Sequence, residues 1–390
     1  MDIDPAATAW LLASTALVLL MTPGLAIFYG GMVRTTGVLN MIMMSFISIP
    51  LVTVAWLLAG YSLAFSDGAA PGFPGGLVGG LTHAGMRGIG PATVHGSVPE
   101  LLFATFQLSF AIITAALVSG AIADRAKFAA WMVFVPVWSI AVYSVVAHWV
   151  WAPSGWLAKM GVLDYAGGLV VEIVSGSSAL ALALVLGPRI GFKVDPMRPH
   201  NLPFVLLGVG LLWFGWFGFN AGSALAANGL ASAIFLNTLG AALVGLAAGI
   251  VCAFAITVKF KLNYDDSLDV VGVHFIGGVV GVLLIGLLAT AVMTDGARGL
   301  FYGGGLGQLG KQALAMVVVA LYAFTVSYLL AALIERLMGF RVSREEEVSG
   351  VDFSQHAETA YTEGVYGHQQ LHRPFSGGDA IRPRPNIEDA

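Results

Sequence analysis

Residues 164–176 read DYAGGLVVEIVSG. Asp164 closes a polar loop, but Glu172 lies among Leu, Val, Ile, Gly and Ser, and no further charge follows until Arg189. A charged side chain at mid-membrane costs about 2.5–3.5 kcal/mol, so one placed there is retained for a reason. The apolar setting is not local. Of 390 residues, 57% are hydrophobic and only 10% charged, with mean hydropathy +0.84. A soluble domain carries about 25% charged residues. Long apolar stretches between short polar ones specify an all-α, polytopic transmembrane helix bundle; a membrane barrel would show alternating segments of roughly ten residues.

Nine spans are predicted, at 8–31, 39–65, 99–123, 128–150, 165–187, 202–222, 229–257, 270–293 and 312–338. The first is too long for a signal-peptide core and reads as a retained span. Alternate connections divide the basic residues unevenly. One set carries Arg34, Arg125, Lys127, Arg189, Lys193, Arg198, Lys259, Lys261, Arg336, Arg341 and Arg344, whereas the other carries only Arg87, Lys159, Arg298 and Lys311. By the positive-inside rule the N-terminus is outside and the C-terminus inside. The connection 66–98 reads as flexible and residues 362–390 as a disordered tail. A net charge of −4 speaks against a nucleic-acid partner. Cys252 is the sole cysteine, which excludes an intrachain disulfide and a cysteine-based metal site.

Glu172 in the fifth span and His274 in the eighth are ionisable groups set inside apolar runs. Two readings stand side by side: a structural hydrogen bond between helices, or a functional pair that shares a proton in a pathway. Asp164 reads as a cap on the N–H groups that open the fifth span, with Asp269 similarly placed before the eighth. Trp149, Trp151 and Trp156, with Phe106 and Phe110 one turn apart, read either as an interfacial belt with ordinary packing or as an aromatic vestibule for a small cation. Ser223 either completes such a vestibule or bonds back to its own helix. Gly218, Gly222 and Ala226, at four-residue spacing, signal close helix packing. The stretch GLGQLGK (305–311) imitates a phosphate loop, but Gln312 stands where Ser or Thr is needed and no strand precedes it.

Several stretches together resemble the ammonium transporter (Amt/Mep/Rh) family: PGLAIFYGGMVR (23–34), FQLSFA (106–111), ADRAKF (123–128), AHWVW (147–151), DYAGGLVVEIVSG (164–176), RPHNLP (198–203), WFGWFGFNAGSALAAN (213–228), DDSLDVVGVHFIGG (265–278) and GFRVSREEEVSGVDFSQHAETAY (339–361). The likeness covers nearly the whole chain. It implies an ammonium site of Phe110, Trp151 and Ser223, a gate of Phe110 and Phe219, and a pore lined partly by Phe28, Tyr29 and Trp216. It gives Asp164 a structural role near the site and makes Glu172 the replacement for a pore histidine opposite His274. It further implies a homotrimer in the cell membrane, no cofactor, and a PII-type signalling protein as partner of the inner face. Residues 1–338 would form the channel and 339–361 a cytoplasmic regulatory segment. After FLNTLG (235–240) the chain passes straight to AALVGLAAGIVCAFA, so about two crossings of the family's eleven-helix pattern are expected to be missing.

The expected function is ammonium transport: recruitment of the ion, deprotonation, and passage of ammonia, with Glu172 and His274 as proton relay. The alternatives are a channel for another small solute and an ammonium sensor signalling through its tail. An enzyme is disfavoured by the lack of HExxH, of a second intramembrane aspartate and of a metal-ligand cluster.

Overall fold

Asp4 accepts the N–H groups of Ala6 and Ala7, and Pro5 opens the first long helix behind it, because a proline needs no partner in a helix's first turn. In the computed structural model, which describes residues 2–67, 76–240, 242–294 and 296–361, the helices are α1 (Pro5–Met32), α2 (Val38–Phe65), α3 (Glu100–Ile122), α4 (128–151), the short α5 (Trp156–Met160), α6 (Gly168–Leu186), α7 (Leu202–Gly222), α8 (Gly229–Gly240), α9 (Ala242–Leu262), α10 (Val271–Leu288), α11 (Gly307–Met338), and two short tail helices, α12 (Arg344–Ser349) and α13 (Val351–His356). A two-residue hairpin pairs β1 (Val94–His95) with β2 (Val98–Pro99). Among the described residues, nine helices are long and apolar enough to cross a membrane.

Lipid supplies no hydrophobic force between helices, so close backbone approach and hydrogen bonds must hold them. The tightest seam joins α1 to α7. A Cβ added at Gly208 would lie 2.5 Å from the Phe28 nitrogen, and one at Gly218 would lie 2.7 Å from the Ser14 carbonyl. Gly222 also abuts Ser14, but Ala226 lies beyond the end of α7 and takes no part in that seam. A second tie joins three helices: Trp138 Nε1 on α4 donates to Ser178 Oγ on α6 and Ser327 Oγ on α11, both at 3.0 Å.

The expected span 229–257 falls within α8 and α9, which are described on either side of residue 241. Asn220 on α7 donates to Thr238 Oγ1, holding α8 to α7, while Cys252 on α9 contacts the Val273 carbonyl of α10. Each half thus keeps a different neighbour. The connection expected to be flexible is folded over 76–98, because its backbone groups find partners. Trp149 Nε1 donates to Leu77 O at 2.6 Å, Gly79 N to Leu63 O at 2.8 Å, and Ser62 Oγ to Gly80 O at 2.8 Å. The tail 362–390 lies outside the described residues.

At the arginine-rich end the connections are locked together by buried charge. Arg189 donates to Asp265 through Nε at 2.8 Å and Nη2 at 2.9 Å, and through Nη1 to Asp124 at 3.3 Å. The Asp265 side chain is fully buried. Burial alone would raise its carboxyl, but the Arg189 bonds outweigh that and hold it below the usual carboxylate range. The tail docks onto the same region. Asp352 accepts the N–H groups of Leu39 and Asn40 that open α2, at 3.0 and 2.8 Å, and Glu347 takes Ile190 N and Arg341 Nη2. Replacing Arg189 by Ala strands a buried carboxylate, which is expected to destabilise the protein by about 3–5 kcal/mol. The measurement is thermal melting in detergent, with Arg189→Lys, which keeps a positive charge beside Asp265, expected to lose less than Arg189→Ala.

Candidate functional site

Two helices begin in the same unusual way. In α6 the first turn, residues 168–173, and in α10 the first turn, 271–275, are wide π-type turns, a form that often marks functional positions. Before each lies a carboxylate. Asp164 Oδ1 accepts from Gly167 N at 2.7 Å, and Oδ2 from Leu169 N and Val170 N at 2.9 and 3.0 Å. Asp266 Oδ2 accepts from Val271 N at 2.6 Å. Asp269, the expected second cap, instead pairs with Lys259, and Asp266 turns inward. Burial raises the Asp164 carboxyl above its ordinary value, although its N–H bonds pull the other way. Burial likewise pushes Asp266 up to about 6.

Eight residues after each capping acid stands the ionisable group of the run, Glu172 after Asp164 and His274 after Asp266. The two face each other across α6 and α10, with His274 Nδ1 2.7 Å from Glu172 Oε2. Gly278 makes room for this approach: a Cβ there would sit 2.9 Å from the Glu172 Cβ.

A cavity of about 210 Å³ opens at the end opposite the arginine-rich one, lined by Phe65, His95, Phe103, Phe106, Gln107, Phe110, Trp151, Tyr165, Ser223 and Leu225. Phe110, Trp151 and Ser223 therefore meet in one wall. Phe110 and Trp151 sit edge to face at 5.9 Å. Phe219 stacks on Phe110 at 4.1 Å and is itself absent from the lining, so it lies behind Phe110 as a second ring. Trp216 lies 6.3 Å from Phe219, ring to ring. Phe28 packs on Gly208, and Tyr29 is buried with its hydroxyl donated to Leu117 O at 3.0 Å. Ser223 Oγ donates back to Phe219 O at 2.8 Å, so the back-bond is present, and its lone pairs remain free to accept on the cavity side. The tryptophan cluster separates: Trp149 and Trp156 pack together at 5.9 Å, and only Trp151 of the three reaches the cavity.

Asp164 serves the cavity as well as the helix. Its carbonyl accepts Trp151 Nε1 at 2.9 Å, which fixes the plane of the indole. Gln312, inside the phosphate-loop look-alike, is fully buried and holds Leu163 by both amide groups, at 2.8 and 2.7 Å. That stretch opens helix α11 and braces the loop before Asp164. His95 and Gln107 were not singled out from sequence. Gln107 Oε1 is buried with no partner among the described residues, and an unpaired amide leaves no mark in a sequence.

The sequence profile of the Ammonium Transporter Family matches residues 9–245 and 231–361. The chain belongs to the ammonium transporter family. An ammonium transporter of Mycobacterium tuberculosis (strain H37Rv) is 44% identical over 460 positions, which take in 99% of this chain and 94% of the relative. Amt1 of Archaeoglobus fulgidus is 40% identical, over 91% of this chain and 98% of its own. The crystal structure of Saccharomyces cerevisiae Mep2 superposes with a TM-score of 0.79 at 29% identity, covering 88% of this chain and 89% of that one. With nine apolar helices long enough to cross a membrane among the described residues, this member of the ammonium transporter family is a multi-pass membrane protein of a transporter rather than an enzyme family.

Replacing Asp164 by Ala removes three charge-assisted bonds at once, an expected loss of about 2–4 kcal/mol. Asp164→Asn keeps an acceptor and is expected to lose less. Melting in detergent reads the stability, and tryptophan fluorescence reads whether Trp151 moves in Asp164→Ala.

Proposed function

We propose that this protein carries ammonium across the cell membrane by parting the proton from the nitrogen. The observation that carries the reading is the 2.7 Å pair of Glu172 and His274 between two membrane helices, in a chain that also holds an aromatic cavity backed by the stacked Phe110 and Phe219.

The cavity suits a small cation. Aromatic faces attract ammonium, by up to about 2 kcal/mol per ring when dry, and Ser223 offers lone pairs. Beyond the rings the ion cannot continue as an ion, because moving a bare charge into apolar surroundings costs tens of kcal/mol. Ammonia is neutral and passes Phe28 and Trp216 without that penalty. The proton left behind goes to the carboxylate–imidazole pair, which passes it on as one hydrogen-bonded unit, so flux is accompanied by current. The N-terminus lies outside, and the arginine-rich end with its docked tail 339–361 lies in the cytoplasm, consistent with the basic-residue bias. Three copies assemble, each with its own pore. A PII-type signalling protein docks at the inner face, where Val348 and Phe353 of the tail stand 66% and 64% exposed.

The chain is shorter than its relatives in the middle, between the seventh and ninth family helices. Supporting this are the 460 aligned positions against 390 residues and the two overlapping family matches. The Glu–His pair keeps its contact despite the loss.

The test is uptake of labelled methylammonium into liposomes and ammonium-evoked current in wild type and Glu172→Gln. Wild type is expected to take up substrate and give current, and Glu172→Gln to lose at least about tenfold of the current. Absence of uptake by wild type would end the transport reading. Unchanged current in the variant would remove Glu172 from the relay.

A further inference from the structure

We infer that His95 is a substrate-recruitment residue at the mouth of the aromatic cavity: as a neutral imidazole it accepts a hydrogen bond from the arriving ammonium ion, and as an imidazolium it turns the ion away. The inference rests on the transport reading above and names a fourth recruiting group besides Phe110, Trp151 and Ser223.

The residue is held in place from both sides. Gly96 has φ +61°, a value that lets the chain turn back on itself between β1 and β2. The hairpin is pinned to α1 by Asp4 N donating to Ser97 O at 2.9 Å, and to α3 by Glu100 N donating to Thr93 O at 2.9 Å. The imidazole lies flat on Phe103, with ring centroids 3.7 Å apart and planes 6° apart. Stacking occupies the ring's face and leaves its edge, where both nitrogens sit, available. Neither nitrogen has a hydrogen-bond partner among the described residues. The same ring lines the cavity with Trp151 and Ser223.

The electrostatics leave His95 as the switchable charge of that space. No Asp, Glu, Lys or Arg lines the cavity among the described residues; Tyr165 is the other titratable group there. Of the helices packed on the hairpin, α3 presents Glu100, which already accepts Tyr61 Oη at 2.9 Å, and α1 presents Asp4, engaged by the N–H groups of Ala6 and Ala7. Burial lowers the imidazole's pKa below its ordinary value, with Glu100 opposing that in part. His95 is therefore neutral at neutral pH and gains its proton only on acidification. A like charge a few ångströms from the ion in a half-wet pocket lowers occupancy roughly tenfold.

Cavity occupancy can be read without flux, by methylammonium titration of the intrinsic tryptophan fluorescence of the purified protein, with Trp151→Phe assigning the signal. Uptake into liposomes gives KM in parallel, and melting checks that each variant is folded. Wild type is expected to bind roughly tenfold more weakly at about pH 5 than at about pH 7.5. His95→Gln, which keeps an acceptor and cannot charge, is expected to lose that acid weakening and to bind within a few-fold of wild type at about pH 7.5. His95→Arg, charged throughout, is expected to behave at about pH 7.5 as wild type does at about pH 5. An unchanged acid weakening in His95→Gln, or wild-type affinity in His95→Arg, overturns the assignment. Absence of uptake with these binding shifts intact would instead refute transport and leave the recruitment role standing.

Discussion

A helix that starts inside a membrane protein exposes N–H groups that no water will satisfy, and in this chain two aspartates meet that demand. Asp164 closes three N–H groups of α6 and Asp266 caps α10. Uncapped ends would cost several kcal/mol each in such surroundings. The two acids do more than seal helix ends. Each sets the start of a wide turn, and eight residues on, each places one member of the Glu172–His274 pair. The contact at the centre of the bundle is thus a consequence of two caps near its ends.

The surrounding scaffold answers to the same scarcity of water. Helices approach through glycine where no side chain could fit, most closely along the α1–α7 seam. Hydrophilic side chains bind one another rather than solvent, as in the Trp138–Ser178–Ser327 tie. At the arginine-rich end, buried charge is tolerated because Arg189 and Asp265 satisfy each other by parallel bonds, the geometry in which an ion pair best offsets its desolvation. Docking of Asp352 on the first N–H groups of α2 makes the tail part of this end rather than an appendage.

Much of this was legible in the sequence, and the remainder has physical reasons for being hidden. Spans could be read because twenty apolar residues in a row have few other uses. Glu172 and His274 stood out because charge is costly there, although that they touch is a three-dimensional fact. Phe110, Trp151, Phe219 and Ser223 came from the family resemblance, since Phe and Trp are common in any membrane helix. The second cap was misassigned because DDSLD at 265–269 offers three acids, and one chain does not say which turns inward. Asp265 went to Arg189, Asp269 to Lys259, and Asp266 to the helix. The connection 66–98 reads as flexible for its Gly and Pro content, but the order of its stretch 76–98 comes from distant partners such as Trp149 and Ser62. His95 was hidden for the same reason.

The paired wide turns at 168–173 and 271–275 bear on how this sequence can drift. Each holds one residue more than a regular turn would. Excising that residue, or adding another, would rotate everything downstream by about 100° and swing Glu172 or His274 out of reach of its mate. Side-chain identity in these stretches is therefore open to evolutionary trial. Residue count is not: between each aspartate and its partner group, the lineage is free to respell the segment but not to lengthen or shorten it.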